Sequence, residues 1–255
     1  MFSRLFGSKK AKTPSFPALK EDANWSFLKS DMHSHLIPGI DDGAQTIEDS
    51  LGLIRELMNM GFESIVTTPH IKSDYFPNTP ATINNGLNEL RQALQENNIH
   101  FPVKAAAEYY VDERFMEMLD AGPLLTVNGN EVLIEFSFMF EPLRINEILF
   151  QLQTKGYKPI IAHPERYNYY HLKPQAYREF KDRGCYLQLN AIALTGYYGR
   201  PVKEMAEKLL DENLYDYCGS DMHHLRHAEA MSKLMKSSRF SQLYHYPFLN
   251  RKMSI

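Results

Sequence analysis

The sequence predicts an α/β protein whose parallel strands close into a barrel, and three observations carry that expectation. Short β-rich runs alternate with longer stretches of helical periodicity from about Leu28 onward, which implies parallel pairing through helical crossovers. Counting the strand ahead of His33, there are seven such strand–helix units, a number that suits barrel-like closure better than an open sheet. The chain has 255 residues, a length at which α/β barrels commonly form one domain.

Taken in order, the chain begins with "MFSRLFGSKKAKTPSFP", basic but without the apolar core of a signal peptide. Residues 1–27 are expected to form a flexible tail and residues 28–255 a single domain. Phe2, Leu5 and Phe6 beside Arg4, Lys9, Lys10 and Lys12 make contact with an anionic membrane or a partner the second reading of that tail. In "SDMHSHLIPGIDDG", His33 and His35 stand two apart, so in a strand they share a face. "TIEDSLGLIRELMNMG" reads as a helix with Thr46 as N-cap, Leu51, Ile54, Leu57 and Met58 on one face, and Gly61 at its end. "TINNGLNELRQALQENN" repeats the pattern through Leu87, Leu90 and Leu94, as do "RINEILFQLQTKG" and "PVKEMAEKLLDEN". The strand candidates between them are "SIVTTPH", "VKAAAEYY", "EVLIEF", "KPIIAHP", "CYLQLN" and "LYDYCGSDMH".

Composition excludes several classes. With 44% hydrophobic and 23% charged residues the chain has the balance of a soluble globular protein. A formal charge of −3 gives no electrostatic case for nucleic acid. No apolar run approaches the ~20 residues that span a bilayer. Two cysteines, Cys185 and Cys218, argue against a disulfide scaffold and fit a reducing, cytoplasmic setting.

The functional signal lies in the last residues of the β runs: His33 and His35, His70, Glu108, Glu135, His163, and Asp221 with His223. In a parallel barrel these C-terminal strand ends converge on one mouth, where active sites sit. Any one of them alone reads as a solvated strand end or a helix cap. Together, clustered carboxylates would repel one another without a cation. Mixed nitrogen and oxygen donors suit Mn²⁺, Fe or Zn²⁺ rather than Ca²⁺ or Mg²⁺. So many donors exceed the needs of one ion, so two or three are implied, with Glu108 placed as a bridge. Which of Asp41 and Asp42 joins them is not decided by spacing. His100, His171, His227 and His245 fall elsewhere and read as surface or packing residues.

The pattern "DMHSH…DDG…TPH…E…E…AHPER…SDMH" resembles the polymerase and histidinol phosphatase (PHP) superfamily. "GIDDGAQTIEDSL", "GYKPIIAHPERY" and "GSDMH" make it most similar to the bacterial manganese-dependent protein tyrosine phosphatases that accompany capsule and exopolysaccharide tyrosine kinases. The resemblance implies a distorted (β/α)₇ barrel with a trinuclear centre at the C-terminal strand ends, Mn²⁺ being the expected ion. It implies His33, His35, Glu108 and Asp221 on one metal, Glu108, Glu135 and His163 on a second, and Asp42, His70 and His223 on the third. Asp31 is expected to orient a ligand histidine from behind. The chain departs from the family after "SDMH", where "HLRHAEA" brings Arg226 early.

Bridged ions lower the pKa of bound water and hold phosphoryl oxygens. Arg166, three residues past His163, is the leading phosphate clamp and Arg226 the second, because a guanidinium matches phosphate bidentately. Tyr109, Tyr110, Phe138, Phe140, Tyr167, Tyr197 and Tyr198 are candidates for an aromatic rim. "SDYFPNTPATINNG" reads as a rim loop rather than a lid. A cysteine-dependent phosphatase would need an arginine after five intervening residues, and those positions hold Ala191 and His224. The expected substrate is phosphotyrosine on a protein partner, a tyrosine kinase tail, with recruitment to the membrane by that kinase. The alternatives are a histidinol-phosphatase-like enzyme of small esters and an inactive scaffold. Homo-oligomerisation is left open.

Overall fold

The computed structural model describes residues 17, 19, 20 and 22–255. The basic and apolar residues noted between Phe2 and Lys12 lie outside the described residues. The strands are β1 (Ser30–Asp31), β2 (Ser64–Thr67), β3 (His70–Ile71), β4 (Val103–Ala105), β5 (Glu108–Tyr110), β6 (Glu131–Glu135), β7 (Lys158–Ala162), β8 (Tyr186–Asn190) and β9 (Tyr217–Gly219). Every strand pair is parallel, in the orders β1-β2-β4 and β3-β5-β6-β7-β8-β9. β2 and β3 are one stave interrupted at Thr68–Pro69, and β4 and β5 one stave interrupted at Ala106–Ala107. Pro69 has no N–H for the ladder, although its carbonyl still accepts from Glu108 N at 3.1 Å. A parallel bridge between Ser34 and Met222 joins the first stave to the last, so the seven expected β runs close on themselves.

The helices that follow each stave are α1 (Ile47–Asn59), α2 (Pro80–Glu96), α3 (Glu113–Ala121), α4 (Ile145–Thr154), α5 (Asn168–His171), α6 (Gln175–Asp182), α7 (Arg200–Asp211), α8 (Leu225–Met235) and α9 (Ser238–His245). Thr46 caps α1 as its sequence demands: its side chain accepts from Asp49 N, and the Asp49 carboxylate accepts from Thr46 N. Leu51, Ile54 and Leu57 are buried as expected, but Met58 is 36% exposed and Leu53 takes the inward place. α2 buries Leu87, Leu90 and Leu94 and starts at Pro80 behind a Thr79 cap, so the expected rim loop is loop only as far as Thr79.

Structure begins before residue 28, the expected start of the domain. Trp25–Leu28 form a 3₁₀ turn, and Trp25 is fully buried, its ring stacked on Phe62 at 6.1 Å and edge-on to Phe240 at 5.0 Å. A lone tryptophan after a polar stretch carries no periodic signal, so the sequence does not announce this turn.

The staves carry a small core of their own, built from Met32, Val66, Ala106, Leu133, Ile160, Ala162 and Tyr217. Glu108 and Glu135 stand two residues beyond Ala106 and Leu133. Strand alternation therefore aims both carboxylates at the same interior, one layer above this core. His163 follows Ala162 directly and by alternation would face outward. Its left-handed backbone, φ 32°, turns it back in. Asp221 is also left-handed, φ 51°. Such conformations cost about 1–3 kcal/mol each and gather at functional sites.

Candidate metal centre

Imidazole and carboxylate groups meet at the mouth because the first and last staves are stitched together there. Asp221 N donates to His33 O at 2.8 Å and His35 N to Met222 O at 2.9 Å. The Nε2 atoms of His33 and His35 then lie 3.2 Å apart, so the expected shared face is real. Asp221 Oδ1 stands 3.3 Å from His33 Nε2 and 3.5 Å from His35 Nε2.

Glu108 occupies the middle. Its Oε2 is 3.2 Å from His33 Nε2, 3.4 Å from His35 Nε2 and 3.1 Å from His70 Nδ1, while Oε1 is 3.0 Å from His163 Nε2. Glu135 approaches His163 Nε2 at 3.7 Å and His70 Nδ1 at 3.8 Å. Asp42 Oδ1 lies 3.5 Å from His70 Nε2 and 3.4 Å from His223 Nε2. All nine expected donors are thus brought together. They fall into overlapping clusters: His35, Asp42, His70 and His223; His33, His35 and Glu108; His33, His163 and Asp221; and His70, Glu108 and Glu135.

The geometry also separates the paired aspartates. Asp41 is buried and fully used inside the protein: it accepts from Gly43 N, from His70 N, and from His35 Nδ1 at 2.8 Å. Asp42 keeps its carboxylate at the mouth, its side chain 56% exposed. Gly43 is required for this turn, since a Cβ there would sit 2.1 Å from His35 O.

Electrostatics tie these buried groups closely to one another. Burial would raise Glu108, but His33 and His70 outweigh it and hold its carboxyl well below the usual range. Burial and the Glu108 charge together push Glu135 well up. Burial alone would lower His33, yet Glu108 and Asp221 raise it to about 9. Burial lowers His70 to about 4.

These residues fit metal ions on structural grounds. Two donors sharing one tetrahedral ion at ~2.0–2.2 Å lie ~3.3–3.6 Å apart, close to the 3.2–3.5 Å found between the His33, His35, Glu108 and Asp221 atoms. Glu108 Oε2 and His70 Nδ1 are buried without hydrogen-bond partners, as groups awaiting a cation would be.

The supports of the donors differ from expectation. Asp31 makes no hydrogen bond to a ligand imidazole and meets His33 only through its backbone and its charge. It accepts from Ser220 N at 2.9 Å and Ser220 Oγ at 2.6 Å, and so anchors the turn that presents Asp221. The group behind His33 is Gln188, whose Oε1 faces His33 Nδ1 at 3.0 Å and also accepts from His163 N at 3.1 Å. Gln188 on one histidine and Asp41 on the other leave both Nε2 atoms facing the centre. A signal for Gln188 was present: a glutamine inside the otherwise buried strand "YLQLN".

Arg166 sits at the mouth as expected. Its guanidinium is held between the rings of Phe138 at 4.4 Å and Tyr198 at 4.2 Å, with Nη1 3.3 Å from Asp221 Oδ2. The preceding Glu165 is buried and structural, accepting from Asn190 N and Tyr215 Oη. A cavity of about 290 Å³ opens over the donors, lined also by Phe138, Tyr197, Tyr198, His224 and His227.

Three expectations need correction. Arg226 does not line this cavity; it lies on α8 beside a separate cleft against α1, away from the place of a phosphate. Tyr109 and Tyr167 are fully buried, their hydroxyls accepting from Leu125 N and Phe136 N, so Phe138, Tyr197 and Tyr198 form the aromatic wall without them. His227, read as a packing residue, is a cavity wall residue whose Nδ1 lies 2.8 Å from Asp221 O.

A closed parallel barrel with this donor chemistry at its C-terminal mouth defines a metal-dependent barrel protein. Its family is equally definite: residues 29–240 match the family described as capsular polysaccharide synthesis, CpsB/CapC, and the chain belongs to it. It is 30% identical over 197 residues to the tyrosine-protein phosphatase YwqE of Bacillus subtilis, covering 77% of this chain and 78% of that one. It is 30% identical over 201 residues to the tyrosine-protein phosphatase CpsB of Streptococcus pneumoniae, covering 76% and 83%. The fold superimposes with a TM-score of 0.75 and 26% identity on a crystal structure from work on YwqE of Bacillus subtilis and CpsB of Streptococcus pneumoniae, described as unique metal-dependent tyrosine phosphatases. That match covers 89% of this chain and 96% of that chain. Among the described residues no helix is long and apolar enough to cross a membrane.

Proposed function

We propose that this protein is a metal-dependent protein tyrosine phosphatase acting on phosphotyrosine of a protein partner, a tyrosine kinase tail in capsule or exopolysaccharide synthesis. The observation that carries the reading is the convergence of nine donors beside an arginine clamped between two aromatic rings. The relatives named as tyrosine-protein phosphatases support the substrate.

Two or three ions, with Mn²⁺ the first candidate, would be held by His33, His35, Asp42, His70, Glu108, Glu135, His163, Asp221 and His223. When bound they supply a water of near-neutral pKa as nucleophile and positive charge for the phosphoryl oxygens. Arg166 binds the remaining phosphoryl oxygens, its plane fixed by Phe138 and Tyr198 so that little freedom is lost on binding. The same two rings, with Tyr197, form an apolar wall against which the tyrosyl ring packs. Asn190 Nδ2 donates to Asp221 Oδ2 at 2.7 Å and keeps that carboxylate turned toward the donors. A phenolate leaving group, pKa ~10, needs less acid assistance than an alkyl alkoxide, so the site does not require a strong general acid.

The test is a substrate panel with the Mn²⁺-loaded protein. Phosphotyrosine peptides should exceed phosphoserine peptides and histidinol phosphate in kcat/KM by at least about tenfold, ~1.4 kcal/mol in transition-state binding. Comparable turnover of histidinol phosphate would move the assignment to a small-ester phosphatase.

A further inference from the structure

The cleft that holds Arg226 has no part in the chemistry above, yet it adjoins the centre. It is about 530 Å³, lies between the first turns of α1 and α8, and shares His223 and His224 with the donor cavity. We infer that this cleft is the subsite for the polypeptide flanking the phosphotyrosine, with Arg226 facing an anionic group on that chain. This rests on the proposed phosphatase function.

Three observations support it. The first is continuity: the two cavities share His223 and His224, so a chain leaving the bound phosphotyrosine on that side enters the cleft directly. The second is Gly52. It sits in the middle of α1, where glycine costs about 1 kcal/mol relative to alanine, and nothing in the protein requires it. A Cβ at this position would meet no atom within 4 Å, so the missing side chain leaves open space in the cleft wall. The third is the composition of the walls. Leu225 is 59% exposed, and among the described residues Arg226 makes no hydrogen bond or ion pair, not even with the two carboxylates of the facing α1 wall: Asp49 is taken up by Gln45 N and Thr46 N, and Glu48 stands exposed without reaching Arg226.

Size fits as well. From Ile47 to Leu53 the α1 wall rises about 9 Å, the reach of about three extended residues. The anion opposite Arg226 is a carboxylate or a second phosphate, which share the chemistry of guanidinium recognition.

The experiment compares 4-nitrophenyl phosphate with phosphotyrosine peptides on the metal-loaded protein. Gly52→Phe fills the cleft and should raise KM for peptides at least about fivefold, with the small ester unaffected. Gly52→Ala, which adds only a methyl group in open space, should leave both substrates unaffected. Arg226→Glu gives a second reading independent of Gly52. The parent should prefer peptides with flanking glutamate or phosphoserine over flanking lysine, and the variant should reverse that order. Peptides with glutamate and with phosphoserine tell the two anions apart.

If Gly52→Phe changes both substrates in proportion or neither, and Arg226→Glu leaves the flank preference unaltered, the subsite is refuted while the phosphatase reading stands. A parent that hydrolyses the small ester but no phosphotyrosine peptide refutes both.

Discussion

Gln188→Met removes one oxygen from beneath the metal centre while keeping the length of the side chain. Gln188 Oε1 serves both His33 Nδ1 at 3.0 Å and His163 N at 3.1 Å, and the glutamine is fully buried. Losing it leaves two buried donors without an acceptor. At about 1–3 kcal/mol each, the metal-free protein should lose ~2–6 kcal/mol of stability. The metal effect is separate. Without an acceptor for its Nδ1–H, His33 is free to rotate or to take the other tautomer, so its Nε2 no longer points at the centre by default. Loss of such a support costs 10–100-fold in metal affinity, about 1.4–2.8 kcal/mol. Urea unfolding of the chelated protein reads the first quantity, and competition against a chromogenic chelator reads the second. A variant with lowered stability but unaltered affinity for every ion would refute the claim that Gln188 orients a ligand.

Glu108→Ala should abolish metal binding and phosphatase activity together, because both carboxylate oxygens face donors; metal content and turnover on the same sample check it. Arg166→Ala should retain the ions but lower kcat and raise KM, and loss of metal from this variant would count against its role as phosphate clamp. Changing both Cys185 and Cys218 to Ser should leave most activity, since both thiols are buried and burial pushes Cys185 up to about 12, far from a thiolate nucleophile. Trp25→Ala should destabilise the fold by about 3–5 kcal/mol in urea, whereas a residue in a flexible tail would give no change.

The sequence by itself determined the repeating strand–helix units, the capped α1 and α2, and which imidazoles and carboxylates stand at the strand ends. Those features are local: a period of two or 3.6, a threonine ahead of a helix, an imidazole or carboxylate where a strand stops. Motif resemblance then selected Asp42 over Asp41. Which of the two faces the mouth was decided only in three dimensions, because Asp41 is drawn inward by backbone N–H groups of Gly43 and of His70, the latter 29 residues away. The same holds for Gln188, which reaches His33 across 155 residues, and for Asp31, whose carboxylate holds Ser220 rather than an imidazole. His163 enters the centre only through its left-handed turn, against the alternation that its strand predicts. Arg226 and His227 exchanged their expected places because successive helical residues point ~100° apart around α8, and which of them faces the donors depends on how α8 packs against α1. Periodicity assigns a side chain to a face; only barrel closure decides what stands across from it.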